Sequence, residues 1–300
     1  MQTYPLYEKK EIKVTPNKKA VRLDCYTVGN NAPSVLILPG GAYSMVSDFN
    51  EGKPFAEYFQ AHGYNAFVLW YRVGAAARYP APMEDVARAM QFIRSHAADW
   101  KLDSTKIALM GSSAGGHLAG FFAAEYARFD GEYNGAVYGI KPSAVVLCYP
   151  VVTMGKLTHA VSRRRLLGIL SGHTEQNAAS VEKRVTENYP PTFVWHNKDD
   201  QSVPYENSVM LKNALDEKGV RCELHLYERG GHGIGLAAGK DAEGWIDDAF
   251  AFLQSVLPRD YLQKCFLSPL HKKHAGKHSK NQKNENSGQI CPNIFNRRAL

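Results

Sequence analysis

The chain has little cysteine, no long hydrophobic run and no leader-like start, and each shortage closes off a class of protein. Its five cysteines, Cys25, Cys148, Cys222, Cys265 and Cys291, are odd in number and scattered, with no C-x-x-C pair. That pattern argues against a disulfide framework and against a zinc site, leaving buried or idle thiols. No apolar stretch nears the roughly 20 residues that a membrane helix needs, so no membrane partner is expected. Met1 to Lys10 holds no apolar segment behind a basic start, and cytoplasmic localisation is the resulting expectation.

Charge of one sign is also missing from most of the chain. The formal net charge is +7, from 36 Lys and Arg against 29 Asp and Glu. From Arg259 onward there are nine basic and two acidic residues, so residues 1–258 hold 27 of each. The net charge suggests nucleic-acid binding only until its location is asked: the body is neutral and all the excess lies in the tail, so no nucleic-acid partner is expected. The rival is a binder through that tail, which predicts a salt-sensitive association lost on deleting residues 259–300. Residues 259–300, rich in Lys, His, Asn and Gln, read as a basic disordered tail. Its His271, His274 and His278 have helical spacing but no acidic or cysteine companion, so no metal is expected there.

What remains is a chain of 300 residues, long enough for one α/β domain over 1–258 plus that tail. Apolar runs of strand length alternate with amphipathic segments, the pattern of a mainly parallel sheet with helices on both faces. Strands are expected at Val35–Leu38, Ala66–Tyr71, Lys106–Met110, Ala144–Tyr149, Thr192–His196 and Cys222–Tyr227. Glu11–Val14 and Ala20–Val28 read as a leading antiparallel hairpin at one edge. Helices are expected at Pro54–His62, Met83–Ala98, Ala114–Arg128, Tyr205–Lys218 and Ala242–Leu257, the second with Val86, Met90, Ile93 and Ala97 on one stripe. Residues 153–190 break the rhythm and read as a small insertion over the carboxyl ends of the strands, where open α/β sheets bind ligands.

The chemistry concentrates in Gly111-Ser112-Ser113-Ala114-Gly115, a G-x-S-x-G pattern that follows a strand and opens a helix. In that context the sharp turn lifts the Ser113 hydroxyl into a cleft. A nucleophilic serine needs a base, and Gly230-Gly231-His232-Gly233, after the last strand, sets His232 on a glycine loop that reads as mobile. The orienting acid should lie between them in chain order. Asp199 and Asp200 both qualify. Pro39-Gly40-Gly41-Ala42 follows the first core strand as a tight turn, so the N–H groups of Gly41 and Ala42 join that of Ala114 as candidate oxyanion donors. Tyr43, Tyr149 and Trp195, at carboxyl ends of strands, are candidate pocket-lining residues. Arg72 and Asp85 read as a structural pair, and His117 as a residue bonded to backbone.

These motifs together resemble the α/β-hydrolase esterases related to hormone-sensitive lipase and, more closely, the small acetyl and feruloyl carbohydrate esterases. The resemblance runs from about Val35 to Leu257 and rests on Pro39–Tyr43, Tyr71–Arg72, Tyr79–Asp85, Asp103–Ile107, Gly111–Ala119, Tyr149–Pro150, Asp200–Pro204 and Gly231–Gly233. It implies the α/β-hydrolase fold and a Ser113, His232 and Asp200 triad, Asp200 being preferred because its distance to Pro204 matches the family spacing. It further implies an acyl-serine route on small-molecule short-acyl esters such as acetylated sugars, without metal or organic cofactor, in a possible homo-oligomer. The alternatives are a broad lipase or acyl-peptide hydrolase, and an inactive binding protein of the same fold.

Overall fold

The computed structural model describes residues 1–133 and 139–258. The expected tail, with its three histidines, lies outside the described residues. Met1–Arg259 forms one compact unit.

Eight strands make one sheet: β1 (Gln2–Pro5), β2 (Arg22–Tyr26), β3 (Ala32–Leu38), β4 (Asn65–Trp70), β5 (Leu102–Ser112), β6 (Ala144–Cys148), β7 (Thr192–Asn197) and β8 (Cys222–Tyr227). Their order is β1-β2-β4-β3-β5-β6-β7-β8. Strands β3 to β8 run parallel, while β2 pairs antiparallel with both β1 and β4. Strands β3, β6 and β7 are buried at every position, which is why their sequences are continuous apolar runs rather than alternations: helices cover both faces.

The helices are α1 (Lys9–Val14), α2 (Asp48–Glu51), α3 (Lys53–Ala61), α4 (Ala81–Ser95), α5 (Ala97–Trp100), α6 (Ser113–Glu125), α7 (Ala127–Tyr133), α8 (Ala160–Leu167), α9 (His173–Ala178), α10 (Glu206–Glu217) and α11 (Trp245–Val256). Strand alternation sorts them into two layers. Leu36 and Leu38 of β3 share a cluster with Val86, Met90 and Ile93 of α4, Leu118 and Phe122 of α6 and Leu211 of α10. Val35 and Ile37 point the other way, into Phe55 and Phe59 of α3 and Trp245, Phe252 and Leu253 of α11. Each such side chain, fully buried, stabilises the fold by roughly 1.5–3 kcal/mol.

The leading hairpin differs from expectation. Its outer strand is Gln2–Pro5, with Gln2 opposite Cys25 and Pro5 opposite Arg22, whereas Glu11–Val14 lies inside α1. A local interaction decides this: the Glu11 carboxylate reaches back to the Glu8 N–H at 2.9 Å, closing a capping box that a strand could not make. Tyr4 meanwhile packs on Phe92 and Trp100, with ring centroids 5.8 and 5.5 Å away.

Arg72 and Asp85 form a structural clamp. The Arg72 Nε donates to both Asp85 oxygens at 2.9 and 3.0 Å, the Arg72 N–H to Oδ2 at 2.8 Å, and the Tyr7 hydroxyl to Oδ1 at 2.7 Å. They join the end of β4 to α4 and the amino-terminal segment.

His117 ties α6 to the 153–190 segment. Its Nε2 lies 2.8 Å from the Ala179 carbonyl, which only accepts, so Nε2 holds the proton and Nδ1 accepts from the Tyr43 hydroxyl at 2.8 Å. Burial drives its pKa down from 6.5 to about 4. An imidazole depressed in the folded state contributes stability that is complete above the unfolded value and is lost as pH falls towards the folded one. Between pH 6.5 and 4 the unfolding free energy should therefore fall by about 3 kcal/mol on this account. Urea unfolding at the two pH values should show a smaller loss in His117→Gln than in the parent; equal losses would refute it.

Candidate active site

Five strand ends build the site, each at the carboxyl side of the parallel sheet: Gly40 after β3, Ser113 after β5, Tyr149 after β6, Asp200 after β7 and His232 after β8. Backbone strain gathers here. Ala42, Tyr43, Ser113 and Tyr149 all have positive φ, at 56°, 55°, 53° and 38°, conformations that non-glycine residues hold only when surrounding structure over-determines them.

At Ser113 the over-determination comes from glycine. A Cβ on Gly111 would lie 2.2 Å from the Gly115 carbonyl oxygen, and one on Gly115 would lie 2.0 Å from the Leu38 carbonyl oxygen. Strand, turn and helix are thus pressed together more closely than side chains allow. Ser113 opens α6, whose amino terminus favours negative charge beside it.

The three residues expected as a triad meet in one hydrogen-bonded chain. Ser113 Oγ is 2.8 Å from His232 Nε2, and His232 Nδ1 is 2.6 Å from Asp200 Oδ2. Asp200 is only 5% exposed. Burial alone would raise its pKa, but hydrogen bonds from His196, His232 and the Val203 N–H outweigh it and hold the carboxyl far below its ordinary value. His196 helps through geometry: its Nε2 lies 2.9 Å from the Val203 carbonyl and 3.2 Å from Asp200 Oδ2, while Nδ1 meets Ser208 Oγ at 2.8 Å.

Asp199 turns elsewhere. Its Oδ1 accepts the N–H groups of Gly230 and Gly231 at 3.0 and 2.8 Å. The glycine loop is therefore tied at both glycines to the turn after β7. Asn197 donates to the Gly231 carbonyl at 2.8 Å, Asn50 donates to the Gly233 carbonyl, and Trp245 Nε1 donates to the Gly235 carbonyl at 3.0 Å. The glycines serve backbone shape: Gly231 and Gly233 have φ of 70° and 68°, flanking His232 with left-handed turns.

Opposite Ser113, the Gly40–Ser44 turn has its carbonyls engaged. Gly40 O accepts from the Ser47 N–H and Gly41 O from those of Ser44 and Met45, while neither the Gly41 nor the Ala42 N–H enters a turn or loop hydrogen bond among the described residues. Ala114 N–H sits in the first turn of α6, where no intrahelical acceptor exists. These three donors remain the ones expected from the sequence.

The aromatic assignments are corrected. Tyr43, Tyr149 and Trp195 are each 0% exposed, so none presents surface to a substrate. Strand ends carry inward as well as cleft-facing side chains, and these three point inward. Trp195 packs on Trp245 and Tyr149, with ring centroids 4.9 Å away in both cases. Tyr149 supports the site from beneath, its ring edge-on to His232 at 5.0 Å.

A residue that the sequence reading missed stands behind this arrangement. Glu51, 3% exposed, accepts the Gly40 N–H on Oε2 and the Tyr149 hydroxyl on Oε1, both at 2.8 Å. Burial raises its pKa against the pull of those two bonds and of His232. Its only sequence signal is a position in a short polar helix just after the Gly-Gly turn, where a solvated carboxylate is the ordinary reading. No group of three or more His, Cys, Asp or Glu side chains suited to a metal occurs among the described residues, and no described helix is long and apolar enough to cross a membrane. The cleft of about 390 Å³ lined by Arg94, Lys141 and Tyr189 lies at the amino ends of β6 and β7, away from Ser113.

Comparison with known proteins places this geometry. The BD-FAE family matches residues 23–215. The chain is 37% identical over 229 residues to endo-1,4-beta-xylanase B of Butyrivibrio fibrisolvens, covering 75% of this chain and 36% of that protein. It is 28% identical over 223 residues to the acetylxylan esterase of Xylanibacter ruminicola, covering 71% of this chain and 43% of that protein. The chain thus spans less than half the length of these two curated relatives. Among solved structures, the acetyl ester-xyloside bifunctional hydrolase from Caldicellulosiruptor lactoaceticus superposes with a TM-score of 0.78 at 31% identity, covering 85% of this chain and 96% of that one. The sheet order, the flanking helices and these matches together show that the chain belongs to the BD-FAE family, in the acetyl and feruloyl group of α/β-hydrolase esterases.

Proposed function

We propose that this chain is a serine carboxylic ester hydrolase acting on short-acyl esters of sugars, with acetylated xylo-oligosaccharides as the substrate class. The hydrogen-bonded chain from Ser113 Oγ through His232 to Asp200 carries the reading. In it His232 Nε2 takes the hydroxyl proton as Oγ bonds to the ester carbonyl carbon, and the carbonyl electron pair moves onto oxygen beside the Gly41, Ala42 and Ala114 N–H groups. Collapse breaks the bond to the alcohol, which leaves with the proton from the imidazolium. Water then repeats the sequence on the acyl-serine, returning acid and free serine. Asp200 keeps the proton of neutral His232 on Nδ1 and stabilises the cation.

The choice of sugar esters draws on the names of the relatives, an acetylxylan esterase and an acetyl ester-xyloside hydrolase. Exposed Met45 and Phe49, on the segment between the Gly-Gly turn and Asn50, are the apolar surface we assign to a pyranose face. A panel of p-nitrophenyl esters of graded acyl length, run beside acetylated xylo-oligosaccharides and fluorophosphonate labelling, tests the proposal. Absence of turnover on every ester would sink it.

Glu51 enters this scheme as a positioning residue. Both its oxygens accept, so Glu51→Gln must turn its amide nitrogen towards one of two donors, the Gly40 N–H or the Tyr149 hydroxyl. The hydroxyl can rotate and the N–H cannot, so the main loss is of the restraint on Tyr149 beneath His232. We expect kcat to fall about 10- to 100-fold, less than the loss of a direct oxyanion donor, with KM nearly constant and the pH profile of kcat shifted. A purely structural role would instead lower Tm and leave the kinetic profile of the folded fraction unchanged.

A further inference from the structure

We infer that the cleft beside the Gly40–Ser44 turn is a carboxylate-binding subsite, so that the preferred ester carries an acidic sugar such as a uronic acid residue; the inference rests on the esterase reading. The cleft, of about 360 Å³, is lined by Gly74, Ala75, Arg78, Arg164, Arg165 and Ile169. Three arginines thus line one concavity. Several arginines elsewhere meet carboxylates, Arg72 with Asp85 and Glu84, Arg184 with Glu125, Arg88 with Glu11 and Arg221 with Glu223, while Arg163 donates to the Met154 and Gly155 carbonyls. Arg78, Arg164 and Arg165 have no ion pair with Asp or Glu among the described residues.

Their few bonds fix the cleft in place without neutralising it. Arg78 Nη1 donates to the Arg164 carbonyl at 3.2 Å and Arg165 Nε to Ser44 Oγ at 3.2 Å. The Gly74 N–H donates to the Tyr43 carbonyl at 2.8 Å. Two residues of the cleft are therefore bonded to the Tyr43–Ser44 segment of the oxyanion turn, and Ser44 lies two residues from Ala42, within about 7 Å along the backbone.

Like charges brought together without a counter-ion repel, and a guanidinium fork matches a carboxylate in two-point geometry. An anion entering the cleft relieves the repulsion and gains those bonds. Tyr79 N–H, bonded to the Leu166 carbonyl at 3.0 Å, holds the α8 side of the cleft against the loop that carries Arg78, so the arginines are presented from two braced segments rather than from a free tail.

The test compares kcat/KM of the full chain on acetylated xylo-oligosaccharides with and without a glucuronosyl branch, at low ionic strength, with p-nitrophenyl acetate as a reference. Two or three exposed charge pairs should favour the acidic substrate by about 3- to 10-fold, through KM, with the preference shrinking in salt. Arg164→Gln should lower the ratio of acidic to neutral substrate measurably, and the combined Arg78→Gln, Arg164→Gln and Arg165→Gln variant should bring it close to one. Lys218→Gln, at the other end of the sheet before β8, changes net charge as much as Arg164→Gln and should leave the ratio intact. A parent ratio of one, or equal effects of Arg164→Gln and Lys218→Gln, would overturn the subsite while turnover of p-nitrophenyl acetate still upheld the esterase reading. Loss of all turnover would strike that reading instead. Competition by inorganic phosphate but not by free glucuronate would overturn the assignment to a carboxylate.

Discussion

Ser113→Ala is expected to lower kcat on short-acyl esters by about 10⁴- to 10⁶-fold while leaving Tm within a few degrees of the parent. The hydroxyl is the sole atom lost, and its hydrogen bond is to His232 Nε2 at 2.8 Å. The turn itself does not depend on it. Residue 113 has φ of 53° because Gly111 and Gly115 let strand and helix approach to distances that no Cβ would tolerate, and alanine bears the same backbone strain as serine. The oxyanion donors are backbone groups and survive, so a small residual rate above solvent hydrolysis is expected to remain. Circular dichroism and a melting scan, with labelling by a fluorophosphonate probe, separate the two ways of losing activity. Near-parent turnover with a normal melting transition would remove Ser113 from the nucleophile position.

Much of this site was legible in the sequence because its parts are written locally. Lys106 to His117 runs from buried strand through glycine-flanked turn to helix in twelve consecutive residues, and the central strands announce themselves as apolar runs because both their faces are covered. Legibility ends where a role depends on partners far away in the chain. Glu51 belongs to the site through Tyr149, 98 residues on, and nothing in Asp48-Phe-Asn-Glu51 signals that its carboxylate is buried. Tyr43, Tyr149 and Trp195 were placed at the right ends of the right strands, but strand position does not say which side of the last peptide faces the cleft. The glycines around His232 gave the right residue for an incomplete reason: small residues permit motion and also permit left-handed turns, and only the anchoring bonds from Asp199, Asn197 and Asn50 tell the two apart. Glu11 to Val14 failed through competition, since its alternating pattern suits a strand while the capping box with Glu8 closes a helix.

The adjacent acids give the second large expectation, a separation of about three orders of magnitude in kcat between Asp200→Asn and Asp199→Asn. Asp200 is surrounded by donors. Its Oδ1 accepts the N–H groups of Ser202 and Val203 at 2.8 and 2.9 Å, and its Oδ2 accepts from His232 at 2.6 Å and from His196 at 3.2 Å. An asparagine there must aim its NH₂ at one of those pairs. The backbone N–H groups cannot change, so the amide oxygen stays with them and the NH₂ meets the histidines. His196 retains the Val203 carbonyl at 2.9 Å, but His232 has no other partner for Nδ1 and shifts its proton to Nε2, facing Ser113. The base is then in the wrong tautomer, and a loss of about 10⁴-fold in kcat follows. Asp199 makes a different demand: Oδ1 accepts both Gly230 and Gly231 N–H groups, at 3.0 and 2.8 Å, and Oδ2 adds a second contact to the Gly230 N–H at 3.1 Å. An asparagine whose oxygen takes the Oδ1 position therefore keeps both glycines and gives up only that second contact. Loss of its charge should cost less than about 10-fold, the scale of an exposed interaction. Single-turnover kinetics on p-nitrophenyl acetate, with the melting transition of each variant measured beside it, reads both effects. If Asp199→Asn proves the more damaging, the acid partner of His232 is Asp199 and the hydrogen-bonded chain through Asp200 is not the catalytic one.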